Sequence, residues 1–409
     1  MIRKLIAAAL LASAAPVAAA QAPAAAPAQA QAPAPAAAPD PARLAPARRL
    51  VDAAMPQSLF EQAVMAGVRS AAAEMRGNAD AARRDPHHAE RSRIEERVMG
   101  EEAMRVLRDI DPNMRALFAD FYARTLDAAD LEAAANFYSS AAGRRFSAGA
   151  MSAAMDPDYQ RSMEALTPQL MGALVGAEQR FAAATAGLPP IPGMPAPAAG
   201  PVPAAPPIPA FTLPARSGPP VDPARFAAAR RALDALWPTE AFTHPLNLQR
   251  AVETLIAIRV GDFGIPIPPS AGINPNSTLA EIGSGFDPHL RQRIPVLARF
   301  AGSEMARVTA AMEPGWKLLT ADAYAREFTA AELDAVTSFF STPAGRRFAM
   351  ESYKAVEDPQ LVRGVVMLIP RVAMQFPAMQ QRVQQATAHL PPVPPAPAPL
   401  PPSPPRPRN

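Results

Sequence analysis

The chain has 409 residues, 51 of them proline, no cysteine, and a formal net charge of +3. Without a thiol it can form no disulfide, use no thiolate nucleophile and build no cysteine-based zinc or iron–sulfur site. The basic excess is small, and no basic stripe interleaved with aromatics accompanies it, which argues against nucleic acid as a partner.

Residues 1–20 read as a signal peptide: Arg3 and Lys4 precede the apolar run Leu5–Ala12, and Ala18–Ala20 form a small-residue cleavage site before Gln21. The run is too short to span a bilayer, no cysteine follows for lipidation, and no later segment is expected to cross a membrane. The expected location is therefore periplasmic or secreted. Residues 21–39, 189–221 and 391–409 are rich in proline and alanine and read as disordered spacers, because proline removes backbone donors and favours extended chain.

Between the spacers lie two copies of one unit. DPARLAPARRLVDAAMP from Asp40 matches DPARFAAARRALDALWP from Asp222, and Asp85-Pro86 matches Asp287-Pro288. Asp111-Pro112 falls opposite Glu313-Pro314, and Pro168 opposite Pro370. The copies are assigned to 40–188 and 222–390, with an insertion in the second near 261–286 that reads as a surface loop from its Gly, Pro, Asn and Ser content. Apolar positions recur at helical spacing, as in Met99, Ala103, Val106 and Ile110, and no strand-like alternation competes. The expected fold class is all-α: two tandem helical domains of bundle type.

The strongest repeated signature is SSAAGRRF, Ser139–Phe146, which returns as STPAGRRF, Ser341–Phe348. Upstream of it, Thr329 with Glu332 predicts a capping box, and Asp127 with Asp130 holds the same places in the first copy. The pairs Phe137-Tyr138 and Phe339-Phe340 then close one helix. Pro343 suits the first turn of the next, and Gly143 and Gly345 allow that helix to come close. Arg144, Arg145, Arg346 and Arg347 fall in this first turn, where a positive charge opposes the helix dipole by up to ~1 kcal/mol. They are the candidate anion- or partner-binding residues. The structural alternative is a salt bridge to the preceding helix, at Glu132 or Asp334.

The stretches YARTLDAADLEAAANFYSSAAGRRF from Tyr122 and YAREFTAAELDAVTSFFSTPAGRRF from Tyr324 resemble the core signature of the DUF2059 family, the second more closely. The resemblance implies an exported bacterial helical domain of unknown function, with no catalytic residues to carry over. Tyr122, Phe137, Tyr138, Gly143, Phe146, Tyr324, Phe339, Phe340, Pro343, Gly345 and Phe348 are then its structural motif.

No hydrolase, phosphate-loop or dinucleotide motif occurs. His87 and His88 lack a third ligand at suitable spacing, so no metal or cofactor is expected. Glu95-Glu96 and Glu101-Glu102 read as charged neighbours on an exposed helix face rather than a glycosidase pair. Pro168 and Pro370 should bend apolar helices, and Met367 and Met374 suit an adaptable apolar groove. The expectation is a non-enzymatic envelope interaction or binding module, with an unknown envelope protein or an amphipathic ligand as partner. A periplasmic carrier of an amphipathic or anionic ligand is the alternative, and a cell-wall hydrolase a distant third.

Overall fold

The computed structural model describes residues 40–77, 82–83, 85–173, 177–189, 220–243, 247–264 and 272–392. The leader, the segment 21–39 and most of the two other proline-rich stretches lie outside the described residues. Every regular element among the described residues is a helix, apart from one isolated bridge between Arg259 and Thr278.

The first copy contains α1 (Pro41–Ala54), α2 (Gln57–Arg76), α3 (His88–Thr125), α4 (Ala128–Ser139), α5 (Ala141–Met155), α6 (Pro157–Ala173) and α7 (Ala177–Ala184). The second contains α8 (Pro223–Leu236), α9 (Thr239–Thr243), α10 (Leu248–Ile256), α11 (Leu279–Phe286), α12 (Leu290–Glu327), α13 (Ala330–Phe340), α14 (Pro343–Lys354), α15 (Pro359–Ala373) and α16 (Phe376–Thr387). Local chemistry sets the starts. Asp40 and Asp222 accept from the N–H groups of Ala42 and Ala224 at 2.9 and 2.8 Å, each just before a first-turn proline.

The long helices α3 and α12, 38 residues each, run through Pro112 and Pro314. A helix of that length spans roughly 57 Å, so each forms the spine of its copy. His87 and His289 stand at their N-caps, and Asp85 and Asp287 accept the histidine N–H groups at 2.9 and 3.0 Å.

The two tandem copies share one core. Leu50, Phe121, Leu126 and Leu131 of the first copy are at most 1 % exposed, in the same cluster as Leu233, Phe328, Leu333 and Phe340 of the second. The sharing arises at the repeated corner. Up to α4 and α13 each copy packs on itself, with α1 against α3 and α4, and α8 against α12 and α13. Beyond the corner each chain segment also crosses over: α5, α6 and α7 pack on α12 of the second copy, while α15 and α16 pack on α3 of the first.

The insertion is more structured than a loop. Val260–Phe263 forms a short 3-10 turn, and Thr278 caps α11 in a reciprocal box with Glu281. The TLAE sequence carries that capping signal, which outweighs the surrounding turn residues.

Candidate functional site

The corner itself is built as its residues dictate. Ser140 and Thr342 cap α5 and α14, accepting from the N–H groups of Gly143 and Gly345 at 3.0 Å each. A Cβ on Gly143 would lie 2.0 Å from the Phe137 carbonyl oxygen, and one on Gly345 2.2 Å from that of Phe339. Only glycine fits either position without moving the backbone.

The aromatic pairs meet across the copies. Phe348 packs its ring 5.4 Å from Tyr122 and 5.7 Å from Tyr138, while Phe146 lies 6.1 Å from Tyr324 and 6.3 Å from Phe340. Burial pushes the Tyr122 hydroxyl up to about 12, opposed by its 3.0 Å hydrogen bond with Ser352. The Tyr138 and Tyr324 hydroxyls are pushed up further by the same cause.

The arginines divide by position. Arg145 donates from Nη1 to the Glu327 carboxylate at 2.7 Å, from Nη2 to the Glu327 carbonyl at 2.5 Å and from Nε to Glu332 at 3.1 Å. Its guanidinium also lies 5.0 Å from the Phe328 ring centroid. Arg347 makes the reciprocal contact, gripping both Asp130 carboxylate oxygens and approaching Asp127 at 4.0 Å. The second arginine of each pair therefore binds the N3 acid of the other copy's capped helix. The expected partners are corrected accordingly: Glu132 pairs with Arg49, and Asp334 with Arg231 at 2.9 Å. Arg144 donates back to the Ser139 carbonyl at the end of α4, and the exposed Arg346 guanidinium has no partner among the described residues.

Two further exchanges follow the same rule. Buried Glu102 is held by Arg105 at 2.8 Å and by Arg382 from the second copy. Its equivalent Glu304 is held by Arg307 at 2.8 Å and, from the first copy, by Arg180 at 2.6 Å. The Arg180 hydrogen bond, first among the causes, draws the Glu304 carboxyl below its ordinary range. Arg91 and Arg293, each paired with its own Asp85 or Asp287, donate to the carbonyls of Pro391 and Pro189 at 2.6 Å, again from the opposite copies. Glu102, at 3 % exposure, is thus no member of an exposed acidic face. Sequence reasoning missed it, although Glu102 and Glu304 persist where Glu95 and Glu101 give way to Leu297 and Ser303.

These groups clamp one another in ion pairs. In a cleft of about 400 Å³ between the copies, Ser152 donates to Glu327 at 3.0 Å, but that carboxylate already holds Arg145. Among the described residues no group of three or more His, Asp or Glu side chains is placed to hold a metal ion.

One outer surface departs from this closed arrangement. Residues 359–387 contain no acid but three arginines, Arg363, Arg371 and Arg382, whereas the first copy carries Asp158, Glu164 and Glu178 in the equivalent stretch. α15 turns Leu361 and Leu368 into the core, while half-buried Val362 and Val366 and exposed Ile369 recur along another side. The helix ends at Ala373, three residues beyond Pro370, and exposed Met374 precedes α16. By length and composition, Pro359–Thr387 passes for a membrane span, and only 17 % of its most apolar window is buried. Pro370 and the arginines break the run to the eye, but not its mean hydropathy, a test that the core helix of a soluble protein also passes. Of the three arginines, Arg363 meets Asp262 at 3.2 Å, Arg382 meets Glu102, and exposed Arg371 has no partner among the described residues.

No curated protein and no solved structure matches the chain. The family model for DUF2059, described as an uncharacterized protein conserved in bacteria, matches it twice, at residues 112–175 and 317–359. Both matches begin on the spine helix and include the glycine–arginine corner where the copies exchange segments. The chain thus carries the DUF2059 segment in two copies.

Proposed function

We propose that this is a non-enzymatic, exported helical module that docks on the anionic surface of a membrane in the cell envelope through the face formed by α15 and α16. The leader-like residues 1–20 support export. The observation that carries the docking is the acid-free stretch 359–387, apolar enough to enter lipid, with only 17 % of its most apolar window fully buried and with Ile369 and Met374 exposed. An amphipathic helix with arginines beside its apolar side lies in the lipid interface, held by apolar burial and by attraction to anionic headgroups. Ile369 and Met374 would enter the acyl boundary, with Arg371 at headgroup level. Arg382 serves this function by holding α16 onto the spine of the other copy through Glu102.

The test is co-sedimentation of the mature chain with vesicles. Vesicles containing phosphatidylglycerol should retain the protein in a salt-sensitive manner, and pure phosphatidylcholine vesicles should not. Ile369→Glu combined with Met374→Glu should abolish retention, and Arg371→Glu should weaken it, without loss of helical circular dichroism. No retention by either vesicle type overturns the reading. Crosslinking from position 369 in cells to one defined protein, with no retention on vesicles, replaces lipid by a protein partner.

A further inference from the structure

We infer that the two repeats are the halves of a segment-exchanged dimer fused into one chain, and that the interaction surface of each repeat is built for a second copy of the repeat. Three sets of contacts carry this. The carboxylate contacts are reciprocal: Arg145 binds Glu332 while Arg347 binds Asp130, and Arg180 binds Glu304 while Arg382 binds Glu102. The backbone contacts are reciprocal as well, with Arg91 on Pro391 and Arg293 on Pro189. The third set is the stack of Phe137 on Phe339, one position of the repeat meeting itself. A surface on which residue i meets j while the partner's i meets j in return is isologous, the arrangement of a two-fold dimer.

The acids and bases also match within a copy type. Arg145 facing Asp130, or Arg347 facing Glu332, would preserve the charge pairing, so nothing in these ion pairs demands two different repeats. What the surface does demand is a full partner. Without the second copy, the buried Glu102 would lose Arg382, and the α3 spine would lose the cover of α15 and α16. Arg105 alone would then face a carboxylate that is 3 % exposed, and a buried acid that loses one of its two cations is destabilised. The peptide connection through residues 190–219 raises the effective concentration of the partner.

The experiment interrupts the full chain with a specific protease site between residues 200 and 210. After cutting, the halves should still elute together at the size of the intact chain at micromolar concentration. Their melting temperature, independent of concentration before cutting, should then fall on dilution. Asp130→Arg in the cut protein should separate the halves at concentrations where the parent stays joined, and adding Arg347→Asp should restore most of the association. Halves that separate at micromolar concentration, each with its own unchanged melting transition, overturn the inference. So does a cut protein whose melting temperature ignores dilution, or an Asp130→Arg loss that Arg347→Asp fails to rescue.

Discussion

Phe137 and Phe339 stack face to face, their ring centroids 4.2 Å apart and their planes 4° from parallel. They hold the same place in the repeat, 202 residues apart, so the contact lies on the axis that carries one copy onto the other. Each ring also meets Phe340 edge-on, at 5.8 Å for Phe137 and 4.9 Å for Phe339. We predict that Phe137→Ala and Phe339→Ala each destabilise the fold and that the two losses are not additive. A double-mutant cycle read by urea unfolding should give a coupling of about 1 kcal/mol, typical of an aromatic pair. Additive losses would mean that the stack is mere proximity.

The corner glycines admit a sharper test. Gly143→Ala and Gly345→Ala place a methyl group within 2.0 and 2.2 Å of a backbone carbonyl, which cannot swing aside as a side chain can. Each should cost roughly 1–3 kcal/mol, the usual range for overpacking, and the double variant more. Gly67→Ala, where a Cβ meets nothing within 4 Å, is the control. On a helix it should be neutral or stabilise by up to ~1 kcal/mol. Equal melting temperatures across the series would count against a close-packed corner.

The arginine pairs should separate by position. Arg346→Ala should change stability by less than about 0.5 kcal/mol, as expected of a surface group without a partner. Arg145→Ala loses two carboxylates and the Phe328 face. With the side chain 37 % exposed and solvent screening the charges, the cost should be about 1 kcal/mol. Thermal unfolding of the two variants side by side measures the difference, and a reversed order would relocate the structural role to the first arginine.

Stability should fall in acid. The carboxyls of Glu304 and Glu332 are held below their ordinary value of 4.5, Glu304 chiefly by Arg180 and Glu332 chiefly by the Thr329 N–H group. A lowered folded-state value means that the unfolded chain takes up protons first. The stabilisation is then complete above the unfolded value and is lost as pH falls from about 4.5 through the lower folded value. Glu304→Gln should lower stability at pH 7 and flatten its decline between pH 5 and 3. A variant whose pH profile runs parallel to that of the parent would show that Glu304 does not contribute to the transition.

What the sequence disclosed was local. The Thr329–Glu332 box, the Asp127 cap before Asp130 and the two glycines follow from chemistry acting within a few residues, and all are present. The destination of the crossing segments was not legible, because Arg145 finds Glu332 across 187 residues and Arg347 finds Asp130 across 217. Charge that persists at Glu102, Glu304, Arg180 and Arg382 among diverged neighbours was the available hint. It says that a charge is needed without saying whose. The acid-free stretch 359–387 could have been counted, but its apolar side is visible only once Leu361 and Leu368 are seen to face inward.

The reach from Glu102 to Arg382 spans 280 residues of chain. A ribosome adding roughly 5–20 residues per second needs on the order of tens of seconds to cover that distance. Throughout that interval the first spine helix has emerged with an acid bound for the interior and only Arg105, one turn along, to meet it. The docking of α16, the last helix among the described residues, is thus a late step of assembly. A truncation near residue 375 would leave the nascent protein caught with its earliest helices unfinished, open to proteases and to chaperones alike.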